Sequence, residues 1–144
     1  MPEITRSALL PYPARFMYDL VNDVEKYPEF LPWCGGSRIH QADDSSMEAS
    51  ILMQGAGLSQ WLKTRNRMIP GESIEITLAE GPFKSLQGLW QFTSVAEQGC
   101  RIELTLSFEF ERGLAAAIIK PVFTRIANTM VDSFCQRAQE LYGR

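Results

Sequence analysis

Histidine occurs once and cysteine three times in the 144 residues. Cys34, Cys100 and Cys135 are odd in number and contain no C-x-x-C pair, so they are expected as reduced thiols of a cytoplasmic protein and not as a disulfide frame. They also lack the spacing of a zinc site, so no metal is expected. His40 lies six residues from Cys34 but has no carboxylate or thiol at the spacing of a dyad, and Cys34 belongs to an apolar segment. Chance proximity is the simpler account, and no catalytic residue is assigned. The glycines at 35, 36, 55 and 57 lack the strand, spacing and lysine of a phosphate loop and are expected in turns.

Long hydrophobic runs are missing as well. Residues 1–13 carry Glu3 and Arg6 without a sustained apolar stretch, so neither a signal peptide nor a transmembrane helix is expected there. Nor is there an excess of positive charge: the formal net charge is -3, which argues against DNA and requires a local patch for any other polyanion. Repeats, low-complexity tracts and polar linkers are absent too, so 1–144 is expected to be one domain with an ordinary core.

What is present is organised around residues 113–144. Steps of four from Leu114 give Ile118, Val122, Ile126, Met130, Phe134, Ala138 and Tyr142, widened by Ile119, Phe123, Ala127 and Val131. Arg125, Asn128, Thr129, Asp132, Gln136, Arg137 and Glu140 occupy the other side, which predicts a surface helix covering something apolar. The part after Pro121 would span about 33 Å, the width of a small domain. A row at steps of four drifts about 40° per step against 3.6 residues per turn. The leading turn, Leu114 to Lys120, is therefore expected to be separate or kinked and able to gate a ligand entering near Pro121.

Upstream, residues 2–10 read as a strand stopped by Pro11-Tyr12-Pro13. A helix of about three turns follows, with Phe16, Leu20 and Val24 inward. A compact turn with Tyr27, Phe30, Leu31 and Trp33 comes next and is closed by Gly35-Gly36. From Ser37 the period becomes two. Met47, Ala49, Ile51 and Met53 share one face; so do Ile74, Ile76 and Leu78; so do Leu86, Gly88, Trp90 and Phe92; and so do Ile102, Leu104, Leu106, Phe108 and Phe110. Turns are expected at residues 43–46, 55–57, 70–72, 81–82 and 97–99. The fold class is α+β: a curved antiparallel sheet of about seven strands wrapped around the long C-terminal helix, with two short helices after the first strand.

Two features remain unspent. Phe30, Trp33, Met53, Ile76, Leu78, Trp90, Phe92, Leu104, Leu106, Phe108, Phe123, Ile126, Ala127, Met130 and Phe134 point by pattern between sheet and helix. They either fill a core or leave a pocket on the order of 300 to 1,000 Å³ for an apolar ligand, with Gly88 and Ala127 supplying the volume. The strand 61–67 sets Trp61, Lys63, Arg65 and Arg67 on one face. It is either a solvated outer face or a basic, aromatic patch for RNA or lipid headgroups. Lys84, Lys120 and Arg125 could enlarge it.

Asp23-Val24-Glu25-Lys26-Tyr27-Pro28-Glu29-Phe30-Leu31-Pro32-Trp33-Cys34, Gly81-Pro82-Phe83-Lys84 with Gly88, Trp90 and Phe92, Phe108 to Phe110, Pro121-Val122-Phe123 and Val131-Asp132-Ser133-Phe134 together resemble the coenzyme Q-binding, START-like (polyketide cyclase/dehydrase-type) family. Within it, the bacterial ribosome-association toxin branch is the nearer likeness. The resemblance spans nearly the whole chain and implies a helix-grip fold and a non-enzymatic role with no required cofactor. It implies ubiquinone or a related isoprenoid lipid as ligand, supporting respiration, with transient membrane contact. Alternatively it implies binding to the large ribosomal subunit that blocks subunit association. A 16.3 kDa domain could enclose only a quinone head and the first isoprene units.

Overall fold

The computed structural model describes residues 3–55 and 57–142, with the backbone alone for residues 114–116. In chain order the elements are β1 (Glu3–Leu10), α1 (Ala14–Asn22), a 3-10 turn (Val24–Lys26), α2 (Tyr27–Phe30), β2 (Cys34–Ala42), β3 (Ser46–Gly55), β4 (Leu58–Ile69), β5 (Ser73–Glu80), β6 (Phe83–Val95), β7 (Gly99–Phe110) and α3 (Leu114–Tyr142). The seven strands form one sheet in the order β1-β7-β6-β5-β4-β3-β2, with every pair antiparallel.

Five tight connections make β2 to β7 a meander, as the alternation predicts. At the first of them the Asp43 carboxylate accepts from the backbone N–H groups of Ser45 (2.9 Å) and Ser46 (2.8 Å), and those bonds hold its pKa below the ordinary value. Gly71 closes the β4–β5 turn at φ +79°, a conformation that L side chains rarely adopt. Of the turn expected at 55–57, Ala56 lies outside the described residues.

The sheet curls because α3 touches β1 and β7 at one end of the strand order and β3 near the other. Register shifts at Cys34/Gly36, Ile39/Gln41, Lys63/Thr64 and Phe83/Ser85 supply local bends. Ile119, Phe123, Ile126, Ala127, Val131, Phe134 and Ala138 are the buried stripe of α3, at spacings that follow 3.6 residues per turn. The row at steps of four drifts off that stripe as expected: Ile118 is 54% exposed and Tyr142 45%. Tyr142 still lies against Tyr12 (4.8 Å) and Phe16 (4.9 Å), tying the end of α3 to the start of α1.

Three local expectations are corrected. α3 runs unbroken from Leu114 with Pro121 inside it, so the leading turn is not a separate element. Pro121 removes one backbone hydrogen bond near the helix start, while Ile119, buried in the core, anchors the leading turn. Gly35 and Gly36 do not close the compact turn but belong to β2. α1 stops at Asn22, short of Val24, and its buried face includes Met17, Tyr18 and Val21 as well as Leu20; Phe16 is only half-buried. A larger surface is covered because α1 packs on both β6 and β7.

Phe134 is fully buried and meets Tyr27, Phe30 and Trp90 edge-on at 5.4 to 5.5 Å. Phe134→Ala is expected to cost about 3–5 kcal/mol of stability, read as a lower midpoint in urea unfolding with an unchanged slope.

Candidate functional site

Between the concave sheet and α3 lies a cavity of about 90 Å³. Its walls come from β3, β4, β5, β6 and β7, with Val24 and Tyr27 at one side and Phe123, Ile126, Ala127 and Met130 of α3 as the roof. The volume falls well below the expected 300 to 1,000 Å³, for two reasons. Phe83, Phe108, Phe110 and Phe123 close one end with ring centroids 4.7 to 5.9 Å apart. Gly88 opens no space either, since a Cβ there would stand 2.8 Å from Leu106 Cδ2 and 3.5 Å from Ile76 Cβ. Its neighbours in register have already filled the gap.

Of the residues assigned to a pocket, Met53, Ile76, Trp90, Leu104, Leu106, Phe123, Ile126, Ala127 and Met130 line this cavity. Phe92 lies behind it, stacked on Trp90 at 6.1 Å and meeting Tyr18 at 5.7 Å. Phe108 and Phe134 are buried packing, and Leu78 is half-buried on β5 outside the lining. Trp33 and Phe30 are elsewhere. Trp33 borders a groove of about 430 Å³ with Pro121, Val122 and Arg125. Ile126 is common to that groove and the cavity, so it is the wall between them. Phe30 faces a third depression beneath Arg137, whose guanidinium sits 5.2 Å from its ring centre.

The cavity also contains Thr64 and Asn66, which the sequence pattern did not single out. They occupy the inward positions of β4 between Leu62 and Met68, and Thr64 donates to Asn66 Oδ1 at 3.1 Å. The signal was available: in a strand whose outer face carries Lys63, Arg65 and Arg67, the residues between must face inward. Tyr27 is the one titratable group in the lining among the described residues. Its hydroxyl donates to the Val21 carbonyl, and burial pushes its pKa far above the ordinary value. It therefore stays protonated, and the lining offers no acid–base pair. Cys34 and His40 point to different partners: Cys34 Sγ donates to the Gly36 carbonyl at 3.2 Å, and His40 Nε2 lies 2.8 Å from Ser50 Oγ. Burial raises the Cys34 thiol, which disfavours the thiolate.

On the outer, convex face, Trp61 is 39% exposed, and the Arg38 guanidinium lies 5.0 Å from its ring centre, a cation–π contact that the strand 61–67 alone did not reveal. Lys63 and Arg65 both reach Glu48 across the β3–β4 pair, at 3.2 and 3.0 Å. Their bonds hold the Glu48 carboxyl below its ordinary pKa. Arg67 is exposed, and among the described residues no ion pair involves it. Of the residues expected to enlarge this patch, Lys120 and Arg125 are on α3, across the sheet. No helix among the described residues is long and apolar enough to cross a membrane, and no group of three or more metal-ligating side chains occurs among them.

A seven-stranded antiparallel sheet gripping one long C-terminal helix over an apolar cavity defines the helix-grip, START-like class. Residues 10–135 match the model of the family "Polyketide cyclase / dehydrase and lipid transport", and the chain belongs to that family. The ribosome association toxin RatA of Pseudomonas aeruginosa is 53% identical over 140 residues, covering 97% of each chain. The mitochondrial coenzyme Q-binding protein COQ10 homolog B of Xenopus laevis is 26% identical over 146 residues, covering 99% of this chain and 60% of that one. In structure, the Zhui aromatase/cyclase from Streptomyces superposes with a TM-score of 0.83 at 15% identity, covering 96% of this chain and 93% of that one, a likeness of fold alone.

Gly88→Val places two methyl groups where Leu106 and Ile76 already meet. It is expected to cost about 1–3 kcal/mol, measured as a fall in the chemical-denaturation midpoint. An unchanged midpoint would show that the cavity yields to accommodate them.

Proposed function

We propose that this protein associates with the ribosome, binding the large subunit through the outer face of β2, β3 and β4, and that it does so in the cytoplasm and without catalysis. The observation that carries this reading is the 53% identity, over nearly the full length, to a protein named for ribosome association. The outer face supports it: Arg38 and Trp61 form a stacked, solvent-facing pair, and Lys63, Arg65 and Arg67 extend along β4, the strand of Trp61. Stacking rings and cations in one row suit a folded RNA, whose bases and phosphates alternate along its surface. On this reading the bound protein occupies the surface at which the large subunit meets its partner and so blocks their association.

The second reading is a carrier of an apolar ligand such as ubiquinone or an isoprenoid lipid, with or without transient membrane contact. It is favoured by the cavity under α3 and by the family's description, which includes lipid transport. It ranks second because the relative named for coenzyme Q is only 26% identical. The cavity volume also weighs against it: about 90 Å³ is less than the roughly 150 Å³ that admits benzene in an engineered apolar cavity. A quinone ring with its tail would require Ile126 and Met130 of α3 to move outward.

Sedimentation with purified large subunits tests the first reading. Arg38→Glu/Arg67→Glu leaves the Glu48 ion pairs intact and is expected to abolish co-sedimentation without lowering thermal stability by more than a few degrees. Wild-type binding should weaken with salt, each phosphate contact contributing a slope of about 0.7–0.9 on a log–log plot. A double variant that pellets like wild type removes this face from the reading, and a wild-type protein that never pellets removes the reading itself.

A further inference from the structure

Thr64 and Asn66 stand out as the polar groups in a cavity whose other walls are almost wholly apolar. Burying an amide and a hydroxyl is unfavourable unless their hydrogen bonds are made, and here they make one between them, from Thr64 Oγ1 to Asn66 Oδ1. That bond consumes the hydroxyl proton and one lone pair of the amide oxygen. Both N–H groups of Asn66 Nδ2 are left over, and among the described residues they make no hydrogen bond. Asn66 Nδ2 is not enclosed without a partner either, and Asn66 lines the cavity and is only half-buried, so its amide faces the open space.

The backbone aims this pair. The register shift between Lys63 and Thr64 in the β4–β5 pairing leaves the extra residue, Ala79, on β5, so β4 itself alternates without interruption and keeps Thr64 and Asn66 together on the inner face. Across β4, Thr64 lies between Ala49 and Leu78 and Asn66 between Met47 and Ile76. Ala49 is the small member of the four, and it and Ile76 line the cavity beside the pair.

We infer that Thr64 and Asn66 form a polar anchor inside the cavity, at which Asn66 Nδ2 donates to the oxygen of a neutral, carbonyl-bearing apolar ligand. Thr64 is the positioning residue, since its bond to Oδ1 fixes which end of the amide faces the ligand. The ligand's buried end is neutral because among the described residues no Arg, Lys, Asp, Glu or His lines the cavity and an uncompensated charge there would be prohibitively desolvated. The ligand supplies an acceptor because both Asn66 N–H groups are unspent while Oδ1 already accepts from Thr64, and a carbonyl is the strong neutral oxygen acceptor. This inference deepens the ligand-carrier reading and is independent of ribosome association.

Cyclopentanone and cyclopentane, matched in shape and differing by one oxygen, are suitable probes, followed by NMR of the full chain; both are close to benzene in size and, like a quinone ring, enter only with the outward movement of Ile126 and Met130. Cyclopentanone is expected to shift the Asn66 side-chain amide resonances, whereas cyclopentane shifts only the methyl groups of Ile76, Leu104 and Met130. Asn66→Leu is expected to weaken cyclopentanone roughly threefold to tenfold, the scale of one hydrogen bond, while leaving cyclopentane equal or tighter. Thr64→Val should weaken cyclopentanone to a smaller extent, because it frees the amide to rotate. If both probes bind and the Asn66 amide does not move on adding the ketone, the anchor is overturned and the cavity survives as an apolar one. If neither probe binds the wild-type protein, the carrier reading and the anchor fall together. The amide shift is read on the unmodified protein, so it decides the matter even if Asn66→Leu fails to fold.

Discussion

The fold depends on one contact surface, the stripe of α3 that runs from Ile119 through Phe123, Ile126, Ala127, Val131 and Phe134 to Ala138. A sheet with one apolar face must be covered, and among the described residues this helix is the only element long enough to reach β1, β7 and β3 together. Since β1 and β3 sit near opposite ends of the strand order, a flat sheet could not touch the helix at both places. The curl of the sheet, the position of its bulges and the existence of an inside and an outside all follow from that one requirement.

Packing along the stripe is uneven, and the unevenness creates the cavity. Aromatic rings are concentrated at the two ends, around Phe123 and around Phe134, whereas the middle of the helix presents Ile126, Ala127 and Met130 to Ala49, Thr64 and Ile76. Small and flexible side chains between two rigid clusters leave a gap that neither cluster can relax into. The same arrangement keeps the gap small, because each cluster already fills its end to the backbone.

Most of the architecture was legible in the sequence because the chain announces it by period. The five alternating strands and the helical stripe each have an inward set of residues that no other periodicity would produce. The boundary at Gly35-Gly36 was misplaced because glycine marks both turns and bulged strands, and the leading turn of α3 because a proline's effect depends on where it falls within a helix. Volume was not legible. Which of Ile76, Gly88 and Leu106 fills the space depends on register, and alternation does not specify which residues sit opposite one another. Trp33 was assigned inward on its apolar character, but it follows the turn of α2 and opens onto a different groove. Thr64 and Asn66 were passed over because the charged residues between them drew the strand's interpretation to its outer face. Arg38 was missed because its partner, Trp61, is two strands away in the sheet.

The shared carboxylate on the outer face changes what that face can bind. Lys63 and Arg65 do not stand bare; Glu48 occupies both, as a resident counter-ion fixed to the neighbouring strand. A single phosphate arriving there exchanges one anion for another and gains only the difference. A surface that presents many phosphates at once also engages the exposed Arg38 and Arg67, and the repeated small gains add up. On the ribosome-binding reading, Glu48 sets a threshold that favours an extended polyanion over single free anions.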